Sequence, residues 1–134
     1  MTRIAMSVAV PLALAALVAS PAALARSGTA RVTNVSVTAG QPSEFGFKLS
    51  TNTVKSGIIV FNVTNKGHLP HTFKLCSGRN QPLANSCVGR STRQINPGQS
   101  TTLRATVTLK GTYEYLCTLP GHAAGGMKGL LKVT

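Results

Sequence analysis

The chain has 134 residues, with 14 Lys or Arg against two Asp or Glu and a formal net charge of +12 at pH 7. That length supports one domain around one core and leaves too little chain for two. The cations are scattered without an adjacent pair, and only six residues are Phe or Tyr with no Trp; this argues against the clustered cations and exposed aromatics of a nucleic-acid binder and leaves attraction to acidic partners.

Residues 1–25 read as targeting rather than fold. Arg3 gives a positive start, residues 4–18 form an apolar run, and Ala23, Leu24 and Ala25 make a small-x-small cleavage signal. The run is interrupted by Pro11 and falls short of the ~20 residues a membrane-spanning helix needs. The expectation is a signal peptide removed after Ala25 and a protein exported to the periplasm or the extracellular space and soluble there. Residues 26–134 then form a single domain whose 13 basic residues against Glu44 and Glu114 give a net charge of +11.

Strand patterns fill this domain. Residues 31–38 are β-branched and rich in Val, Phe45, Phe47 and Leu49 alternate, and 57–64 holds Ile58, Ile59, Val60, Phe61 and Val63. Segments 72–75, 101–109, 112–117 and 130–133 follow. Leu103, Ala105, Val107 and Leu109 keep a period of two, the mark of one buried and one wet face, and turn residues such as Asn96, Pro97 and Gly98 separate the runs. No helical repeat of useful length occurs. The pattern predicts an all-β antiparallel sandwich of about seven strands.

The last strand pair encloses a loop with metal chemistry. Parity puts Tyr113, Tyr115 and Cys117 on one face, so Cys117 leaves its strand pointing inward. Pro120 and Gly121 turn the chain so that His122 returns to the same point, and Gly125 and Gly126 permit a second bend before Met127. A thiolate, an imidazole and a thioether favour copper over magnesium or calcium, which prefer oxygen ligands. One more histidine would complete a His2Cys plane with a weak axial Met. Of the two remaining, His71 follows Pro70 and precedes the anchoring Phe73 by two residues, whereas His68 sits beside the 65–67 turn and reads as a solvated loop histidine.

Residues 113–129, with Cys-x4-His-x4-Met spacing, resemble the copper-binding loop of the cupredoxins, the plastocyanin, azurin and rusticyanin group, and are closest to the rusticyanin-like pattern. The similarity continues through residues 95–103 and 65–73, where Pro70, His71 and Phe73 match the upstream motif. Thr72 stands where many members carry Asn. The resemblance implies a Greek-key sandwich with one type 1 copper ion at one end, held by His71, Cys117, His122 and Met127, the Thr72 hydroxyl taking over any bond between the two ligand loops. With Cys117 kept as a thiolate by the metal, Cys76 and Cys87 are left to pair as a disulfide in an oxidising compartment.

Ligand counting narrows the function. A second copper centre of the oxidase or nitrite reductase kind needs further histidines and only His68 is left over; a binuclear centre needs a second Cys within the loop. The chain therefore reads as no enzyme but a small exported blue copper protein that shuttles single electrons by Cu(II)/Cu(I) cycling. The alternative is an extracytoplasmic copper-binding or delivery protein. Leu119, Pro120, Ala123, Ala124, Gly125 and Gly126, with Leu69 and Pro70, are small and apolar and are expected to form a contact patch around His122. Its partner would be a redox protein, acidic in view of the charge, and the chain itself a monomer.

Overall fold

The computed structural model describes residues 29–134. The expected signal peptide and its cleavage after Ala25 lie outside these residues. Nine strands follow in chain order: β1 Val32–Ala39, β2 Phe47–Leu49, β3 Thr53–Val54, β4 Gly57–Asn65, β5 Lys74–Arg79, β6 Gly89–Ser91, β7 Ser100–Val107, β8 Gly111–Leu116 and β9 Lys128–Val133. They form a four-stranded sheet, β2-β1-β4-β7, and a five-stranded sheet, β3-β9-β8-β5-β6. Among the described residues no helix is long and apolar enough to cross a membrane.

Alternation drives the packing. Val35, Val37 and Ala39 of β1, Ile59, Phe61 and Val63 of β4, and Leu103, Ala105 and Val107 of β7 are buried, while Ser36, Asn62 and Arg104 between them are exposed. Period-two burial of this kind turns one face of a sheet to a core and the other to water. The facing sheet contributes Leu75, Tyr113, Tyr115, Leu131 and Val133 to the same core. Phe73, fully buried, sits among aromatic rings, with centroids 5.0 Å from Phe61, 5.2 Å from Phe47 and 5.5 Å from Tyr115. Aromatic pairs at such separations add to their area burial. Because Phe73 follows His71 by two residues, this core fixes where His71 stands.

Three features differ from the expected antiparallel sandwich of about seven strands. β3 and β6 are extra, two and three residues long. β1 runs parallel to β4, with Val35 opposite Phe61, and β3 runs parallel to β9, so the sandwich is mixed. A parallel neighbour needs a crossover of a dozen or more residues, and the stretch between Ala39 and Gly57 provides it by passing through β2 and β3. Leu109 lies beyond the end of β7 and is 56% exposed, and Phe45 lies outside any strand at 38%.

β8 is buried on both faces. Tyr113 and Tyr115 face the main core, whereas Leu116 packs with Cys76 and Ala123, against which the partly buried Cys87 rests. The cover is the segment between β5 and β6, closed by the Cys76–Cys87 disulfide across a sequence separation of 11. A closure of that size contributes about 3 kcal/mol in the chain-entropy picture. Glu114 is 4% exposed beneath the cover, its carboxylate accepting from the Ala84 N–H at 2.9 and 3.1 Å.

Candidate metal centre

Two loops meet at one end of the sandwich. The first runs from β8 to β9 and is closed on itself by backbone bonds. The Cys117 N–H donates to the Met127 carbonyl at 3.0 Å, the Met127 N–H to His122 at 3.0 Å, and the Gly125 N–H to Gly121 at 2.8 Å. Gly121 and Gly126 take φ values of 80° and 111°, which side chains with a Cβ rarely adopt. The second loop leads into β5. There His71 forms an isolated antiparallel bridge with Ile95, its N–H donating at 3.0 Å and its carbonyl accepting at 2.8 Å.

The bridge brings a buried imidazole to the mouth of the first loop. Nδ1 of His71 lies 3.2 Å from Nδ1 of His122, and Sγ of Cys117 lies 3.5 Å from Nδ1 of His122. The ligand atoms of these three side chains all fall within 4.8 Å of one another. Met127, fully buried, packs in one cluster with Cys117 and Ala39. Cys117 is a free, fully buried thiol. His68 is not part of this group: its side chain is 98% exposed.

The donor set fits copper. Two imidazole nitrogens and the Cys117 sulfur face a common point, with Met127 packed in the same cluster as Cys117, a combination that suits copper better than oxygen-bound calcium. The His71 tautomer is settled by its other nitrogen. Nε2 lies 2.9 Å from Oε1 of Glu44, and a carboxylate only accepts, so Nε2 carries a proton, and the neutral form of the ring then presents its lone pair at Nδ1. The pKa of His122 is lowered, first by burial and then by repulsion from the neighbouring His71 ring when that ring is protonated, with Glu44 opposing. Both effects favour the neutral ring that a metal requires.

The loops are tied together by Thr72. Its hydroxyl accepts from the Thr118 N–H at 2.7 Å, and its own N–H donates to Sγ of Cys117 at 3.4 Å. A hydroxyl thus makes the bond between the two loops that the cupredoxin resemblance implied for this position. N–H to sulfur bonds and ligand-orienting contacts of this kind tune a metal site.

Two residues of the centre escaped the sequence reading. Glu44, in the connection from β1 to β2, accepts from the backbone N–H groups of His68 and Leu69 and from His71. The two amides, His68 first, hold its pKa down at about 2. Asn65 is fully buried and binds three backbone groups, two nearby and one 30 residues on: its amide donates to the carbonyls of Leu69 at 2.8 Å and Ile95 at 2.9 Å, and its side-chain oxygen accepts from the Gly67 N–H at 2.8 Å. The only advance signal for Glu44 was its rarity as one of two acids. Asn65 gave none beyond a turn preference.

The expected contact patch also needs one revision. Ala123 is 3% exposed because it faces inward toward Cys76 and Leu116. Pro120, Ala124, Gly125 and Gly126 are exposed, Leu69 is 42% exposed, and the ring of Phe45 stands edge-on to His122 with centroids 5.0 Å apart.

Comparisons with known proteins bear on this arrangement. Residues 33–134 match the copper binding proteins of the plastocyanin/azurin family. Auracyanin-B of Chloroflexus aurantiacus is 46% identical over 43 residues, which are 32% of this chain and 18% of that protein, so the alignment spans under a fifth of the relative's length. Among solved structures, auracyanin B superposes with a TM-score of 0.61 at 23% identity over 80% of this chain and 91% of that one. Rusticyanin from Thiobacillus ferrooxidans gives 0.60 at 24% identity over 79% of each chain. Auracyanin A, a "blue" copper protein from Chloroflexus aurantiacus, gives 0.60 at 18% identity over 78% of this chain and all of that one. At such identities the structural likenesses speak to the fold alone.

Proposed function

Since the chain belongs to the plastocyanin/azurin family of copper-binding proteins, we propose that His71, Cys117, His122 and Met127 hold its single copper ion and that the protein carries single electrons between redox partners. The observation that carries this reading is the convergence of Nδ1 of His71, Sγ of Cys117 and Nδ1 of His122 on one point. When bound, copper supplies reversible one-electron chemistry between Cu(II) and Cu(I).

The side chains do the rest. His71 and Cys117 are fully buried and Thr72 and the His71–Ile95 bridge hold them in register, so one ligand arrangement persists whichever charge the site carries. The closed backbone of the 117–127 loop excludes water from the sulfur. His122, less buried than His71 and flanked by exposed Pro120, Ala124 and Phe45, offers the shortest route from the site to a docked partner. Small flat contacts of this kind suit brief redox encounters, and the surplus of cations steers an acidic partner from a distance.

The burial of the donors favours this role over copper delivery, which needs an exposed and exchangeable site. Among the described residues His71, Cys117 and His122 are the one group of three or more His, Cys, Asp or Glu side chains placed to hold a metal ion. The reading further includes export by the signal peptide, one domain over residues 26–134, and a location outside the cytoplasm, where the Cys76–Cys87 disulfide persists. A redox titration of the copper-loaded protein with a competing chelator present tests it. One reversible electron per chain with copper retained in both states supports the shuttle; release of copper on reduction supports delivery instead.

A further inference from the structure

We propose that Glu44 is the positioning residue of this centre: its carboxylate dictates that His71 offers Nδ1 to the metal, and its negative charge, bonded to no Lys or Arg among the described residues, biases the site toward Cu(II) over Cu(I). The inference rests on the reading of His71 as a ligand.

The geometry is specific. Oε1 of Glu44 accepts from Nε2 of His71 at 2.9 Å and from the Leu69 N–H at 3.0 Å, while Oε2 accepts from the His68 N–H at 3.0 Å. Three donors from residues 68–71 therefore converge on one side chain supplied by a loop 27 residues upstream of His71. Among the described residues the ion-pair partners of Glu44 are histidines, His68 and His71, and no Lys or Arg. No described Lys or Arg lies within ion-pair distance of this carboxylate.

The surrounding backbone is shaped to admit this contact. A Cβ at Gly67 would run into Oε1 of Glu44 and come within 3.0 Å of Nε2 of His71, and a Cβ at Gly40 would strike the Gly67 backbone. Gly67 is therefore needed for space, so that the carboxylate can reach the imidazole. A carboxylate bonded to the distal nitrogen of a metal-bound histidine fixes the tautomer, raises ligand basicity, and changes metal affinity by ~10- to 100-fold when removed. Negative charge near the metal favours the more highly charged oxidation state, so the loss on removal falls on Cu(II) more than on Cu(I).

The rival is that Glu44 only ties down the 67–69 turn. Two variants separate the readings: Glu44→Gln keeps the shape and removes the charge, and Gly67→Ala keeps the charge and pushes the carboxylate off His71. Nitrogen-15 NMR of the copper-free protein reads the His71 tautomer, and voltammetry of the copper-loaded protein reads the potential. Expected are a proton on Nε2 of His71 in wild type, a mixture of tautomers in Gly67→Ala, and a ~10- to 100-fold shift of the Cu(II)/Cu(I) preference toward Cu(I) in Glu44→Gln, which is a rise of ~59 to ~118 mV. A neutral His71 ring with its proton on Nδ1 in copper-free wild type, read at a pH where the ring is uncharged, overturns the proposal whatever the variants do. So does an unchanged potential in folded Glu44→Gln. The NMR result needs no metal, so it stands apart from any failure of the ligand reading, which would show as the absence of a thiolate-to-copper band in wild type.

Discussion

Replacing Asn65 by Ala should damage the fold at the metal end far beyond the cost of an ordinary turn substitution. The side chain is fully buried and makes three hydrogen bonds of 2.8 to 2.9 Å, to Leu69, Ile95 and Gly67. Each is worth about 1 kcal/mol net, so the variant loses ~3 kcal/mol. The Ile95 carbonyl keeps its bond from the His71 N–H, but the Leu69 carbonyl and Gly67 N–H must turn to water. The assay is urea unfolding of the copper-free protein, chosen because bound metal adds its own stabilisation. With a slope of about 1.5 kcal/mol per molar, the midpoint should fall by ~2 M. A surface turn residue would change stability by no more than ~0.5 kcal/mol. A midpoint drop below ~0.5 M would therefore refute the assignment of Asn65 as the bolt between the 67–71 loop and the β6–β7 connection.

Acid should weaken the copper-free protein in a defined window. Glu44 has its pKa depressed from 4.5 to about 2 by the His68 and Leu69 amides, so its stabilising contribution is complete above ~4.5 and is lost as the pH falls toward 2; melting curves of wild type and Glu44→Gln should converge there, and parallel curves would contradict the linkage. The axial position is tested by Met127→Gln, whose harder oxygen donor should lower the reduction potential by ~59 mV or more, a tenfold gain for Cu(II); an unchanged potential would make Met127 a packing residue. The contact patch is tested by Ala124→Glu at an exposed position: the visible spectrum should be unchanged while electron exchange with an acidic redox partner slows by ~10-fold or more, and the wild-type rate should fall as salt rises. Equal rates for the two proteins would place the exit elsewhere.

Much of this molecule could be read from the chain because local periodicity and ligand chemistry carry it. Val35, Ile59, Leu103 and their neighbours alternate cleanly and are buried as the alternation implies. Cys117, His122 and Met127 lie on one short loop, so their meeting required only turn residues between them. The choice of His71 over His68 followed from Phe73, whose burial two residues on determines which histidine faces inward. What could not be read depends on partners distant in sequence. Alternation says which face of β1 is buried but not that its neighbour β4 runs parallel to it. β3 and β6 are too short to show any period. Ala123 looked like an exposed turn residue until the disulfide-closed segment was seen to cover that face. Glu44 meets His71 across 27 positions, a contact that leaves no mark on composition or spacing.

The central claim is that Cys117 provides the sulfur of a copper centre completed by His71 and His122. Its most direct test is the visible spectrum of Cu(II) added to copper-free wild type and to Cys117→Ser. The buried thiol 3.5 Å from Nδ1 of His122 predicts an intense blue thiolate-to-copper band at one copper per chain in wild type and none in Cys117→Ser. The same band persisting in Cys117→Ser would contradict it.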